Sequence, residues 1–153
     1  MYNISDYDFQ KDNIIETPLQ LSKYIYNKVK RKSFKQILDV GSNKGNLSKY
    51  FKKVIRLDLE DTYKNNFSFF ISKDFLKTTM EDFKDYDIDL IVSNPPFSEL
   101  LAFKFMEHSL KLFPNIGHVF IVPNYILDNS KVRGEKLKKY NITKIVKLRS
   151  SSF

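Results

Sequence analysis

Short apolar segments that suit buried strands alternate with segments of helical periodicity along this chain of 153 residues. The predicted strands are residues 36–40, 54–57, 67–71, 88–92, 118–122 and 142–148. The predicted helices are residues 18–32, 47–51, 98–112 and 130–140. Strands separated by helices are joined by crossovers and run mainly parallel, with helices on both faces of the sheet. The alternation predicts a Rossmann-like, doubly wound α/β fold in a single domain, residues 1–153, with residues 1–15 as an N-terminal extension.

The positive charge of the chain is concentrated in its last segment. The formal net charge is +8, and residues 131–153 contribute +7 because they hold eight basic side chains and one acid, Glu135. Such a segment indicates a polyanionic partner such as nucleic acid, although a solvated helix face has the same pattern. The residues predicted to contact nucleic acid are Lys131, Arg133, Lys136, Lys138 and Lys139.

Several functions are excluded by what the chain lacks. It has no cysteine, which excludes disulfide bonds, thiolate metal sites and a cysteine nucleophile. Its two histidines are isolated from other ligand residues, so we expect no metal site. No segment approaches the roughly 18 apolar residues of a membrane helix, and the N-terminus has no signal-peptide pattern. We expect a soluble cytoplasmic protein with no membrane partner.

A loop with two glycines follows the first predicted strand. Gly41 and Gly45 lie between that strand and the next helical segment, where a tight turn lets a ligand approach the backbone. Asp58 ends the second predicted strand, and a carboxylate there can accept both hydroxyls of a ribose. The pattern therefore indicates a nucleoside-containing cofactor. A nicotinamide or flavin dinucleotide fits poorly, because the loop does not follow G-x-G-x-x-G.

The fourth predicted strand ends in Asn94-Pro95-Pro96-Phe97. The two prolines hold Asn94 extended and remove two backbone donors, which leaves carbonyl oxygens as acceptors beside an aromatic ring. Such a site suits a planar group that carries an NH2. In the strand order 3-2-1-4-5 that is usual for a doubly wound sheet, the first and fourth strands are neighbours. We therefore expect this loop and the glycine loop to face one crevice.

The two loops together resemble motifs of the class I S-adenosylmethionine-dependent methyltransferases, and Asn94–Phe97 resembles the motif of their N6-adenine-specific group. The resemblance implies S-adenosyl-L-methionine as the cofactor and adenine N6 in DNA as the methyl acceptor. The catalytic residues that it implies are Asn94, Pro95, Pro96 and Phe97. The cofactor-binding residues that it implies are Thr17, Pro18, Asp39, Gly41, Gly45, Asp58, Leu59, Asp74 and Phe75.

Further segments extend this resemblance, and two features depart from it. Val122-Pro123-Asn124 is similar to a later motif near the target pocket, and the order of the motifs resembles the DNA adenine enzymes of restriction–modification systems and phages. However, Asn43 stands where the family usually has another glycine. The chain also ends before the usual seventh, antiparallel strand and a target-recognition domain. We therefore expect a C-terminally truncated catalytic domain, a minimal enzyme, or one part of an assembly with a separate recognition subunit.

Three alternatives remain open from the sequence. RNA adenine methyltransferases and the glutamine methyltransferases that act on release factors also use Asn-Pro-Pro-aromatic motifs, so the acceptor is alternatively an RNA adenine or a protein amide. The third alternative is a methyltransferase-like domain without activity, which serves as a scaffold or as the partner of an active subunit.

Overall fold

The computed structural model describes residues 16–29, 33–97, 100–127 and 131–148. The strands are β1 (Gln36–Val40), β2 (Val54–Asp58), β3 (Phe70–Ser72), β4 (Ile88–Ser93) and β5 (Gly117–Phe120). The α-helices are α1 (Leu19–Val29), α2 (Leu101–Leu112) and α3 (Lys131–Leu137). Short 3-10 helices span Lys64–Asn66, Phe75–Lys77, Met80–Phe83 and Asn124–Ile126. The predicted extension, residues 1–15, lies outside the described residues.

The five strands form one sheet in the order β3-β2-β1-β4-β5, and every neighbouring pair is parallel. The chain moves outward from β1 to β3 and then crosses back to β4 on the other side of β1. This reversal places the carboxyl ends of β1 and β4 side by side, with Val40 opposite Ser93 in the register. Ligands of doubly wound sheets bind at such a reversal point. The predicted fold class and strand order are confirmed.

One face of the sheet is covered by α2 and by the 3-10 helices that follow β3. The residues of β1, β2 and β4 that point to this face form a fully buried apolar layer with aromatic side chains from the covering elements. These residues are Leu38, Val40, Ile55, Leu57 and Ile91 from the strands, and Phe75, Phe83, Phe105 and Phe113 from the covering layer. The alternation of apolar residues along β1 and β2 therefore places every second side chain in this core.

The opposite face is covered by α1 and by the turn that follows the glycine loop. Leu21 and Ile25 lie four residues apart on one side of α1 and pack on the strands together with Leu47 and Phe51. A third cluster lies on the outer side of α2, where Phe103 and Met106 pack against α3 through Leu137. With helices on both faces, the layer arrangement is the predicted one.

The predicted helix after the glycine loop does not form. Residues 47–50 make a turn, with bonds of the i to i+3 type from Lys49 to Asn46 and from Phe51 to Ser48. Only eight residues separate Gly45 from the start of β2 at Val54, which leaves room for about one helical turn. Leu47 and Phe51, which suggested a helix, are nevertheless buried, because a single turn is enough to bring both side chains against α1.

The predicted sixth strand, residues 142–148, is also wrong. Residues 141–148 pair with no strand, and Ile145 is 63% exposed. Lys144 and Lys147 interrupt the alternation of apolar residues, and β-branched residues alone do not make a strand without a neighbour to pair with. Among the described residues there is accordingly no sixth strand, and no antiparallel seventh strand. No helix in the described part of the chain is long and apolar enough to cross a membrane.

Candidate functional site

The glycine loop makes a tight turn at the carboxyl end of β1. Gly41, Asn43 and Gly45 have φ values of 68°, 45° and 76°, all in the left-handed region. The backbone N–H groups of Gly41 and Ser42 donate to the carbonyl of Leu57, at 2.8 and 3.2 Å. Asparagine is one of the few other residues that adopt this conformation readily. Asn43, the departure from the usual glycine, is therefore compatible with the turn.

The two glycines of this loop serve different purposes. A Cβ at Gly45 would lie 2.7 Å from Nε of Arg56 and 2.9 Å from the ring of Phe67, so side chains of the protein itself occupy that space. The Arg56 guanidinium lies over the Phe67 ring at 4.2 Å from its centroid. A Cβ at Gly41 would meet nothing nearer than 3.9 Å, where it would make ordinary contacts with the backbone oxygen of Asn94 and the ring of Phe105. Gly45 is thus required by internal packing, whereas Gly41 is required by its positive φ and lies next to the Asn94–Phe97 loop.

Asp58, at the end of β2, accepts a hydrogen bond from the backbone of the same loop. Its carboxylate accepts hydrogen bonds from the backbone N–H groups of Asn43, at 2.7 Å, and Glu60, at 3.1 Å. The side chain is half-buried, and the neighbouring Leu59 is 65% exposed. Each carboxylate oxygen can accept further hydrogen bonds. The carboxylate is therefore fixed in orientation, beside an exposed apolar side chain.

Asp39, which the sequence also assigned to the cofactor, lies in the interior. It is fully buried beneath the loop, and its Oδ2 accepts a hydrogen bond from the equally buried Ser48 hydroxyl. Burial raises the pKa of Asp39 to about 6, although Ser48 and the positive charge of Arg56 on β2 act in the opposite direction. The carboxyl group thus ties the turn after the glycine loop to β1. Its contact with a cofactor stays a prediction.

Asp74 and Phe75, at the end of β3, form the start of a 3-10 helix. Asp74 caps that helix by accepting from the backbone N–H of Leu76 at 3.0 Å. The Phe75 ring is buried in the core against Phe105 and His108, at centroid distances of 5.2 and 5.0 Å. The structure therefore places Phe75 in the core, and a cofactor contact from its ring stays a prediction.

The Asn94–Phe97 loop follows β4 directly and lies across the crevice from the glycine loop. The Asn94 Nδ2 donates to the hydroxyl oxygen of Thr17 at 3.1 Å. At the base of the two loops, the Ser93 hydroxyl donates to the carbonyl of Val40 at 2.8 Å and so joins the ends of β4 and β1. Pro95 is buried, whereas Pro96 and Phe97 are half-buried.

The segment Glu16–Pro18 joins the two loops. Thr17 contacts Asn94, and Glu16 forms an ion pair with Lys44 of the glycine loop at 2.5 Å. Pro18 begins the first turn before α1, where its carbonyl accepts hydrogen bonds from the N–H and the hydroxyl of Ser22. The structure thus brings three predicted segments together at one crevice, although their positions are as far apart as residues 17 and 94.

A further residue of this region, Tyr125, was not among the site residues predicted from the sequence. The Tyr125 hydroxyl donates a hydrogen bond to the carbonyl of Phe97, and the Arg133 guanidinium donates to the carbonyl of Tyr125 at 2.9 Å. Tyr125 directly follows the Val122-Pro123-Asn124 segment, which is the one signal that could have indicated it. The start of α3 is therefore connected to the Asn94–Phe97 loop.

The predicted nucleic-acid surface is partly neutralised within the protein. Lys136 forms an ion pair with Glu107 of α2 at 2.7 Å, and this contact raises the pKa of Lys136. Lys138 pairs with Glu135 at 2.8 Å. Lys131 and Lys139 are exposed. Of the five predicted residues, three thus make contacts within the chain.

The described residues contain no group of three or more His, Cys, Asp or Glu side chains that could hold a metal ion. One side of the crevice is formed by the turn backbone, the Asp58 carboxylate and the exposed Leu59, and the other side by the Asn94 backbone oxygen, the buried Pro95 and the half-buried Phe97. One side suits a nucleoside and the other a planar amino group.

Comparison with known proteins gives only structural similarities. No family model matches the chain, and no curated protein matches it. The chain is similar to the plantazolicin methyltransferase BpumL in complex with SAH, with 16% identity and a TM-score of 0.48 over 84% of this chain and 56% of that one. It is also similar to BpumL in complex with a pentazolic desmethylPZN analog and SAH, with 16% identity and a TM-score of 0.47 over 88% of this chain and 58% of that one. The chain spans less than two thirds of the length of these structures.

Proposed function

We propose that the crevice between the glycine loop and the Asn94–Phe97 loop binds S-adenosyl-L-methionine and transfers its methyl group to adenine N6 in DNA. The observation that carries the proposal is the juxtaposition of the loops. Val40 and Ser93 are opposite one another in the register of β1 and β4, and the Cβ position of Gly41 lies 3.9 Å from the backbone oxygen of Asn94. A cofactor on the first loop and an amino group on the second would therefore lie within reach of each other.

The glycine-loop side has the features that the cofactor requires. The Asp58 carboxylate, held by two backbone N–H groups, would accept the ribose hydroxyls, and the exposed Leu59 would pack on the adenine. The tight turn at Gly41, with a φ of 68°, would let the ligand approach the loop backbone. When bound, S-adenosylmethionine supplies a methyl group on a positively charged sulfur.

The opposite side has the features that the amino group requires. The Asn94 side-chain oxygen and the Pro95 carbonyl would accept the two hydrogens of the amino group, and the half-buried Phe97 ring would stack on the base. These hydrogen bonds orient the nitrogen lone pair toward the methyl carbon. The amino nitrogen would gain the methyl group as the carbon–sulfur bond breaks and S-adenosylhomocysteine leaves, and the nitrogen would release one proton to solvent. Positioning and polarisation supply the catalysis.

Adenine in a DNA duplex must leave the base stack to reach this crevice, which costs a few kcal/mol. Contacts between lysines and phosphates would offset this cost. These four lysines of the predicted surface, Lys131, Lys136, Lys138 and Lys139, are all exposed, but Lys136 and Lys138 are paired with acids. Neutralising Lys131 and Lys139 together should lower the salt-dependence slope of DNA binding by about 2, whereas Lys136→Gln with Lys138→Gln should lower it by less.

The activity is tested with tritiated S-adenosylmethionine and three acceptors offered separately: unmethylated duplex DNA, structured RNA and a glutamine-containing peptide. We expect the label in N6-methyladenine of the DNA. Label in the RNA or in the peptide would replace DNA by that acceptor and keep the chemistry. Calorimetry that detects no S-adenosylmethionine binding would overturn the proposal and leave a scaffold function.

A further inference from the structure

We propose that Thr17 is a positioning residue for Asn94: its hydroxyl accepts a hydrogen bond from the Asn94 NH2 group and so keeps the side-chain oxygen as the acceptor for the substrate. The inference rests on the proposed function, in which that oxygen accepts a hydrogen from the substrate amino group. The observation that carries it is the hydrogen bond from Asn94 Nδ2 to Thr17 Oγ1, at 3.1 Å between residues 77 positions apart. Thr17 was expected from the sequence only as a cofactor-binding residue.

The orientation of the amide decides which substrates the crevice can accept. The amide is planar, and its NH2 group and its oxygen lie on different sides of the carbonyl carbon. With the NH2 group directed to Thr17, the oxygen is directed elsewhere and can accept from a donor. A rotation of the amide by half a turn would present N–H groups to the substrate amino group. Two donors would then face each other, and the amino hydrogens would lose an acceptor.

Thr17 is itself held rigidly enough to fix another side chain. It is 4% exposed, so water does not compete well for its hydroxyl. The following Pro18 restricts the Thr17 backbone to an extended conformation. The Pro18 carbonyl is bonded to the N–H and the hydroxyl of Ser22, which is fully buried at the start of α1. Glu16, on the other side of Thr17, is paired with Lys44.

A positioning role and a cofactor-binding role make different predictions. If Thr17 acts through Asn94, loss of its hydroxyl lowers the turnover number and leaves the affinity for S-adenosylmethionine unchanged. If Thr17 mainly binds the cofactor, the affinity falls instead. Thr17→Val removes the hydroxyl and keeps the branched shape of the side chain, and Thr17→Ser keeps the hydroxyl.

The experiment compares the wild type, Thr17→Val and Thr17→Ser by methyl-transfer kinetics, by calorimetry with S-adenosylmethionine and by NMR of the Asn94 side-chain NH2 group. The signal of that group is identified by its loss in Asn94→Asp. For Thr17→Val we expect a fall in kcat of about ten-fold to a hundred-fold, cofactor affinity within about two-fold of wild type, and a shift of the Asn94 signal. Thr17→Ser should restore both the signal and most of the turnover.

Three results would overturn the proposal. The first is an Asn94 NMR signal that does not move in Thr17→Val. The second is a signal that moves while kcat is unchanged, and the third is a loss of cofactor affinity that accounts for the whole loss of activity. The NMR measurement needs no substrate and no turnover. If the wild type transfers no methyl group to any acceptor, the proposed function fails, while the NMR signal still shows whether Thr17 holds Asn94.

Discussion

The two loops of the crevice are held in place by different parts of the chain. Apart from the exposed ion pair of Lys44 with Glu16, the supports of the glycine loop lie close to it in sequence; they are Asp39, Ser48, Arg56, Asp58 and Phe67. The Asn94–Phe97 loop is supported by Thr17 and Tyr125, which come from distant segments. The proposed cofactor side is therefore built mostly by local structure, whereas the proposed substrate side depends on how α1 and the segment after β5 pack onto the sheet.

The largest effect is expected from Asn94→Ala, because it separates the functions of the two loops. The substitution removes a substrate contact from the second loop and leaves every support of the first one in place. We expect kcat to fall by roughly a hundred-fold to a thousand-fold, as for the loss of one donor or acceptor that stabilises a transition state. Cofactor affinity, measured by calorimetry, should stay within about two-fold. Unchanged turnover would show that Asn94 does not hold the amino group.

The next largest effect is expected from Gly45→Ala, which should lower the stability of the first loop. The new Cβ would lie 2.7 Å from Arg56 Nε, on a residue whose φ is 76°. Left-handed strain costs about 1–2 kcal/mol and overpacking about 1–3 kcal/mol, so we expect the free energy of unfolding to fall by about 2–5 kcal/mol. Urea denaturation measures this change.

Gly134→Ala is the matched control for this glycine. Gly134 lies inside α3, and a Cβ there would meet nothing within 4 Å. Alanine is the better helix former, so this variant should be more stable than wild type by about 0.5–1 kcal/mol. Equal effects of the two substitutions would show that the Arg56–Phe67 contact does not determine the need for glycine at position 45.

The positions of the two loops could be predicted from the sequence, and their supports could not. Each loop directly follows a buried apolar strand, and such strands determine the order of a parallel sheet through the crossover rules. The supports depend on which side chains meet in space. Examples are the contact of Arg56 and Phe67 with Gly45 and the burial of the Phe75 ring. The sequence pattern also cannot show that the connection to β2 is too short for the expected helix.

Asp39 makes the stability of the first loop depend on pH. Burial raises its pKa from 3.8 to about 6, so the folded chain binds this proton more tightly than the unfolded chain. Its contribution to stability is therefore fully present below about pH 3.8 and is lost as pH rises through about 6. Relative to Asp39→Asn, the free energy of unfolding of the wild type should fall by about 2 kcal/mol between about pH 4.5 and pH 7.5.

Urea denaturation at several pH values checks this difference, with Asp85→Asn as the control because Asp85 is exposed. A difference between the wild type and Asp39→Asn that does not change with pH would show that Asp39 ionises as readily in the folded chain as in the unfolded one.

The smallest effect is expected from Tyr125→Phe, which removes one support of the second loop. The phenol donates to the Phe97 carbonyl, but Tyr125 is 38% exposed, so water can replace the lost partner. A hydrogen bond of this kind contributes about 0.5–1.5 kcal/mol, and we expect the low end, a two-fold to four-fold loss of kcat/KM for the methyl acceptor. Tyr24→Phe on α1, whose ring is 40% exposed, is the control. Cofactor affinity should be unchanged in both variants, because the hydrogen bond from the Tyr125 phenol goes to the second loop. A parallel loss of cofactor affinity in Tyr125→Phe would mean that the two loops are not supported independently.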